Sequence, residues 1–104
     1  MMQQGLVRSA DSDRPAPAPE VTAYPVDDEL VLYDARNGQG YVLNPTAARI
    51  WSLCDGSLTS SAVAEAMSEA YALPYDEALS DVRECLDYLW RAGLITSYVA
   101  ETQA

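Results

Sequence analysis

The side chains with most chemical capacity in this chain are two thiols and a run of carboxylates. Cys54 and Cys85 lie far apart, outside any CxxC spacing and with too few partners for a structural zinc site. Asp27, Asp28 and Glu29 cluster, but the 104 residues contain neither histidine nor lysine. That removes the commonest general base, the commonest metal ligand and every Ser-His or Cys-His nucleophile arrangement. The acids read as a solvated surface and the thiols as reduced cysteines half-buried on helices. The chain is expected not to be an enzyme and to carry no cofactor and no metal.

Charge narrows the partners. Six arginines against 16 acidic residues leave a formal net charge of -10, whereas a nucleic-acid binder needs cations to displace counterions from phosphate. DNA and RNA are therefore poor candidates, and a basic or neutral peptide suits the balance better. The segment SSAVAEAMSEAY, where a winged-helix DNA binder would place its recognition helix, has no Lys or Arg and carries Glu65 and Glu69. No apolar run approaches the roughly 20 residues of a membrane span, and the first residues lack the apolar centre of a signal peptide. The expectation is a cytoplasmic protein with no membrane partner.

The elements follow from turn and cap chemistry. Residues 1–20, ending in RPAPAPE, are rich in Ala, Pro, Asp and Ser and read as a flexible tail. VTAY before Pro25 is a short strand, and Glu29 to Asp34 a second, with Leu30 and Leu32 on one face and Val31 and Tyr33 on the other. Both faces are expected to be partly covered. Asn37-Gly38 signals a hairpin turn, and Gly40 is a candidate bulge. The third strand, Gln39 to Asn44, then switches abruptly: Asn44 can cap a helix, and Pro45 fits its first turn, where a missing N–H costs nothing.

Three helices are expected to follow. The first runs from Pro45 to Cys54, and the second from Ser60 to Tyr71, capped by Thr59, with Val63, Met67 and Tyr71 or Ala64 and Ala70 inward. The third spans Tyr75 to Ala92, buries Leu79, Val82, Leu86 and Leu89, and stops at Gly93. Trp51 reads as core or a helix–helix contact, and residues 98–104 as a frayed end. The sum is one α+β domain over residues 21–97, winged-helix-like, with a three-stranded antiparallel sheet followed by three helices.

Four stretches together carry a resemblance: Glu29-Leu-Val-Leu-Tyr33, GYVLNPTAARIW from Gly40 to Trp51, Leu53-Cys-Asp-Gly56, and Asp81 through Leu94. In this order and spacing they resemble the PqqD-like family of peptide chaperones and recognition elements for ribosomally made, modified peptides. The resemblance spans about Thr22 to Thr96. It implies binding of a precursor's leader segment as an added strand, in a groove between the third strand and third helix, and delivery to a modifying enzyme. The short stand-alone form is most similar to leader-binding proteins of lasso-peptide clusters, whose partners are a leader peptidase and a cyclase. The alternative within the family is PqqD proper, a chaperone for a radical S-adenosylmethionine enzyme of pyrroloquinoline quinone biosynthesis. Outside it stands a winged-helix protein-interaction or DNA-binding domain.

Carried onto this sequence, the resemblance implies a peptide-binding set. Gly40, Tyr41, Val42 and Leu43 offer the strand edge, Val82 and Leu86 the groove floor, and Arg83, Asp87 and Trp90 one wall. Which flank of the third helix faces the strand is not fixed by sequence. Trp90 has a competing role in the core, and Arg83 a competing partner in Asp87 four positions on. Monomer and weak dimer are both compatible with an open edge.

Overall fold

Residues 13–99, the part of the chain that the computed structural model describes, run β1 (Ala16–Pro17), β2 (Val21–Val26), β3 (Glu29–Asp34), β4 (Gln39–Leu43), α1 (Pro45–Leu53), α2 (Ser60–Tyr71), α3 (Tyr75–Arg91) and β5 (Ile95–Thr96). β2, β3 and β4 form an antiparallel sheet in that order, and β1 pairs antiparallel with β5. This is the expected α+β, winged-helix-like arrangement.

The turns are set by the residues that tolerate positive φ. β2 and β3 are joined by Asp27 and Asp28, with Asp27 at φ 57°. Residues 35–38 join β3 to β4, and Gly38 takes φ 70°. Asn37 helps by accepting the Gln39 N–H on its Oδ1 at 3.0 Å. Gly40 makes no bulge: it pairs in register with Tyr33, so the ladder runs unbroken to Leu30 opposite Leu43.

At the strand-to-helix switch the Asn44 Oδ1 accepts the Ala47 N–H at 2.9 Å, with Pro45 in the first turn of α1. Thr59 caps α2 in the same way. α3 ends where Gly93 adopts φ 77°.

One face of the sheet and one stripe of each helix close a single core. Leu32 and Leu43 meet Ile50, Trp51 and Cys54 of α1, Val63 and Met67 of α2, and Val82, Leu86 and Leu89 of α3. Within α2 the inward set is Val63, Ala64 and Met67, while Tyr71 and Ala70 stay exposed. The opposite sheet face differs from expectation: Tyr24, Val26, Tyr33 and Val42 are exposed there, because every helix packs on the other side.

Two stretches expected to be loose are packed. The first 12 residues of the expected tail, and residues 100–104 of the expected frayed end, lie outside the described residues. From residue 13 onward the chain is strapped down. The Arg14 N–H donates to Ser97 O at 2.8 Å, the Ala18 N–H to Leu94 O at 2.9 Å, and Asp13 accepts the Ser60 hydroxyl at 2.8 Å. Pro15 and Ala18 are buried, as is Tyr98. Composition alone missed this because the strap is held by backbone bonds and small side chains.

A buried acid joins sheet to helix. Asp34, only 1% exposed, accepts hydrogen bonds from the Arg36 Nε and Nη2 at 2.8 Å each, and the Arg36 Nη2 also donates to Gly93 O at 2.6 Å. The Arg36 hydrogen bond, outweighing burial, holds the Asp34 carboxyl below its ordinary 3.8. Its contribution to stability is therefore present above that value and lost as pH falls through the lowered one. Asp34→Asn is expected to lower the melting temperature at neutral pH and to flatten its decline between about pH 5 and pH 3, read by circular dichroism melts.

Candidate functional site

The phase of the β-ladder decides which backbone groups are free. The Ala35 N–H donates to Glu20 O at 3.1 Å, so residues 35, 33, 31 and 29 turn their backbone groups toward β2. Leu30, Leu32 and Asp34 then bond to β4, through Leu43, Tyr41 and Gln39. On β4 the alternate residues Gly40 and Val42 point their N–H and C=O groups outward, where the sheet ends. By the same phase, Pro25 on β2, opposite Leu30, faces the other open edge, where its missing N–H breaks no bond.

Beside the β4 edge runs a cavity of about 390 Å³. Val42, Leu43 and Asn44 line it from the strand, and Thr46, Ala47 and Ile50 from α1. Asp81, Glu84, Cys85 and Tyr88 form its far wall on α3. Their spacing of three, one and three places them on one flank of that helix. Val42 is 64% exposed and Tyr88 47%, so apolar surface is presented at the mouth between two carboxylates and a strand edge. Among the described residues no cation lines this groove.

The residues expected from sequence divide accordingly. Gly40, Tyr41, Val42 and Leu43 lie on the edge strand, and a Cβ at Gly40 would meet nothing nearer than Leu32 O at 4.0 Å, so the outer surface there is open. Val82 and Leu86 are fully buried and do not line this groove, although Val82 lines a neighbouring cavity. Arg83, Asp87 and Trp90 sit on the opposite flank of α3. Asp87 accepts the Tyr98 hydroxyl at 2.6 Å, and Trp90 meets the Tyr98 ring edge-on at 6.3 Å. Burial raises the pKa of Tyr98, the Asp87 hydrogen bond adds to this, and Arg83 opposes it. Tyr98 thus occupies the flank that a frayed end would have left open.

The groove wall that sequence reading passed over had a signal. Asp81, Glu84, Cys85 and Tyr88 form a continuous i, i+3, i+4, i+7 stripe. Reading Tyr98 as core would have assigned that stripe to the strand side.

The thiols have no chemical role that the geometry supports. Burial pushes Cys54 up to about 12 and Cys85 up to about 11. The Cys54 Sγ donates to Ile50 O at 3.2 Å. Among the described residues no group of three or more His, Cys, Asp or Glu is placed to hold a metal ion, and no helix is long and apolar enough to cross a membrane.

Among the described residues, this α+β domain sets a free strand edge against an acidic, part-apolar groove. Residues 29–95 match the family model described as coenzyme PQQ synthesis protein D, and the chain belongs to this PqqD family. Two solved structures share the fold. TbiB1 in complex with the TbiA(beta) leader peptide is 25% identical, with a TM-score of 0.74 over 81% of this chain and 98% of its own. A lasso peptide synthetase B1 complexed with the leader peptide is 26% identical, with a TM-score of 0.71 over 79% of this chain and 96% of its own. No curated protein sequence matches the chain.

The raised thiol values give a direct check. With its pKa near 11, Cys85 is about one part in a thousand thiolate at pH 8. Reaction of the folded protein with 5,5′-dithiobis(2-nitrobenzoate) at that pH is expected to run roughly a hundredfold slower than in urea, followed by absorbance at 412 nm, about the usual wavelength for the released thiolate.

Proposed function

We propose that this chain is a non-catalytic recognition element that binds the leader segment of a ribosomally made precursor peptide by strand addition to β4. It then delivers that peptide to a modifying enzyme, a lasso-peptide leader protease and cyclase pair being favoured. The observation that carries this reading is the outward-facing backbone of Gly40 and Val42, which no strand among the described residues pairs, beside a groove. An added strand would satisfy up to four backbone groups there, each worth about 0.5–1.5 kcal/mol net, while side chains reaching Ala47, Ile50 and Tyr88 supply selectivity. Both solved relatives hold leader peptides, which favours this partner class.

Within the site, Gly40 and Val42 supply the edge, and Tyr41 and Leu43 anchor it to the core from the inner face. Asp81, Glu84, Cys85 and Tyr88 take the wall role for which Arg83, Asp87 and Trp90 are misplaced. The family's description in terms of coenzyme PQQ synthesis keeps a second reading in place, a chaperone for a radical S-adenosylmethionine enzyme. The two share the same groove and differ in the enzyme served.

The test is a fluorescence-polarisation titration with dye-labelled leader peptides, the TbiA(beta) leader and the leader of any precursor peptide found encoded near this chain's gene. Val42→Pro removes an outward N–H without breaking the β3–β4 ladder, so binding is expected to weaken at least tenfold, about 1.4 kcal/mol, with an unchanged circular dichroism spectrum. Trp90→Ala, on the other flank, is expected to leave the affinity within about twofold. Full affinity in Val42→Pro would exclude strand addition at β4.

A further inference from the structure

A second cavity, of about 270 Å³, opens between α2 and α3. Its base is Met67, Ala78 and Val82, all buried in the core, and its rim is Tyr71 and Leu73. Thr46 and Asp81 line this cavity and the β4 groove alike, so the two adjoin at that pair of side chains. β4 runs toward this junction, because Asn44 and Thr46 follow its last residue. A peptide strand paired with Gly40 and Val42 and extended past Leu43 would therefore head toward Asp81, which both cavities share.

The lining states what would fit. Apart from Thr46 and Asp81 it is apolar or aromatic, and Met67 gives it an adaptable base. Its volume is well above that of one water, and its apolar walls offer water few partners. Asp81 at the threshold, in a chain of net charge -10, disfavours an acidic residue at the crossing and favours a basic or neutral one.

Resting on the strand-addition reading, we propose that this cavity is a second subsite for the same precursor peptide. It seats one bulky apolar side chain just beyond the residues that pair with β4, preceded or followed by a non-acidic residue at Asp81. The leader is thereby held at two points, by its backbone at the edge and by one side chain at the α2–α3 cavity. Register is fixed by the second point, since backbone pairing alone permits slips along the strand.

The experiment uses the full chain and the labelled leader peptide that binds it in the titration above, scanned with alanine at each bulky apolar position. Titrations are run against wild type, Tyr71→Asp and Leu73→Glu, with Val42→Pro as the control for strand addition. The inference expects one peptide position whose alanine substitution weakens binding about tenfold to wild type and less than twofold to Tyr71→Asp or Leu73→Glu. Tyr71 is exposed, so Tyr71→Asp tests the site even where Leu73→Glu disturbs the fold. If every alanine effect is the same in wild type and Tyr71→Asp while Val42→Pro still abolishes binding, the second subsite is overturned and the groove stands. If Val42→Pro binds as wild type, the strand-addition reading itself falls.

Discussion

The sheet and the long helix are fastened together by one charged contact at their far end. Asp34, the last residue of β3, is buried and would be costly there as an isolated charge. Arg36 answers it with two hydrogen bonds through the guanidinium and one through its own backbone N–H at 3.0 Å. The same guanidinium reaches Gly93 O, the carbonyl where α3 has just been stopped by a left-handed glycine. The hairpin that begins β4 and the end of α3 are therefore tied to one side chain. Since β4 and α3 are the two banks of the groove, this contact sets their spacing at one end and the Leu43–Ile50–Leu86 core sets it along the rest.

The two edges of the sheet have opposite fates. On β2, Pro25 presents a ring where an N–H would be, and Asp27, Asp28 and Glu29 crowd the neighbouring turn, a combination that discourages edge pairing. On β4, Gly40 and Val42 present unmodified backbone. Nothing in the strand itself blunts that edge. The helix wall of Asp81, Glu84, Cys85 and Tyr88 stands across the groove from it.

Much of this was legible in the residues because it is local. Asn44-Pro45, Thr59 and Gly93 announce helix ends through their own hydrogen bonds and dihedrals, and the structure places them as read. The spacing of Leu79, Val82, Leu86 and Leu89 names the buried face of α3, although at its first turn Ala78 is the fully buried residue and Leu79 is only half-buried. What faces the groove is not local. Choosing between the Asp81–Tyr88 flank and the Arg83–Trp90 flank depends on where Tyr98 packs, and that depends on a strap from residues 13–18 most of whose bonds are to main-chain atoms. Backbone bonding of this kind leaves almost no trace in side-chain pattern. A tail of Pro and Ala therefore looked loose although it closes the domain.

That strap has a further consequence. The Asp13 carboxylate accepts the Val99 N–H at 3.3 Å, so the two ends of the described body touch. A chain whose entrance and exit share one point can be cut elsewhere and rejoined there, or set into a loop of another polypeptide, with only a few added residues and little strain on its interior. The described body is in this sense a closed ring of structure.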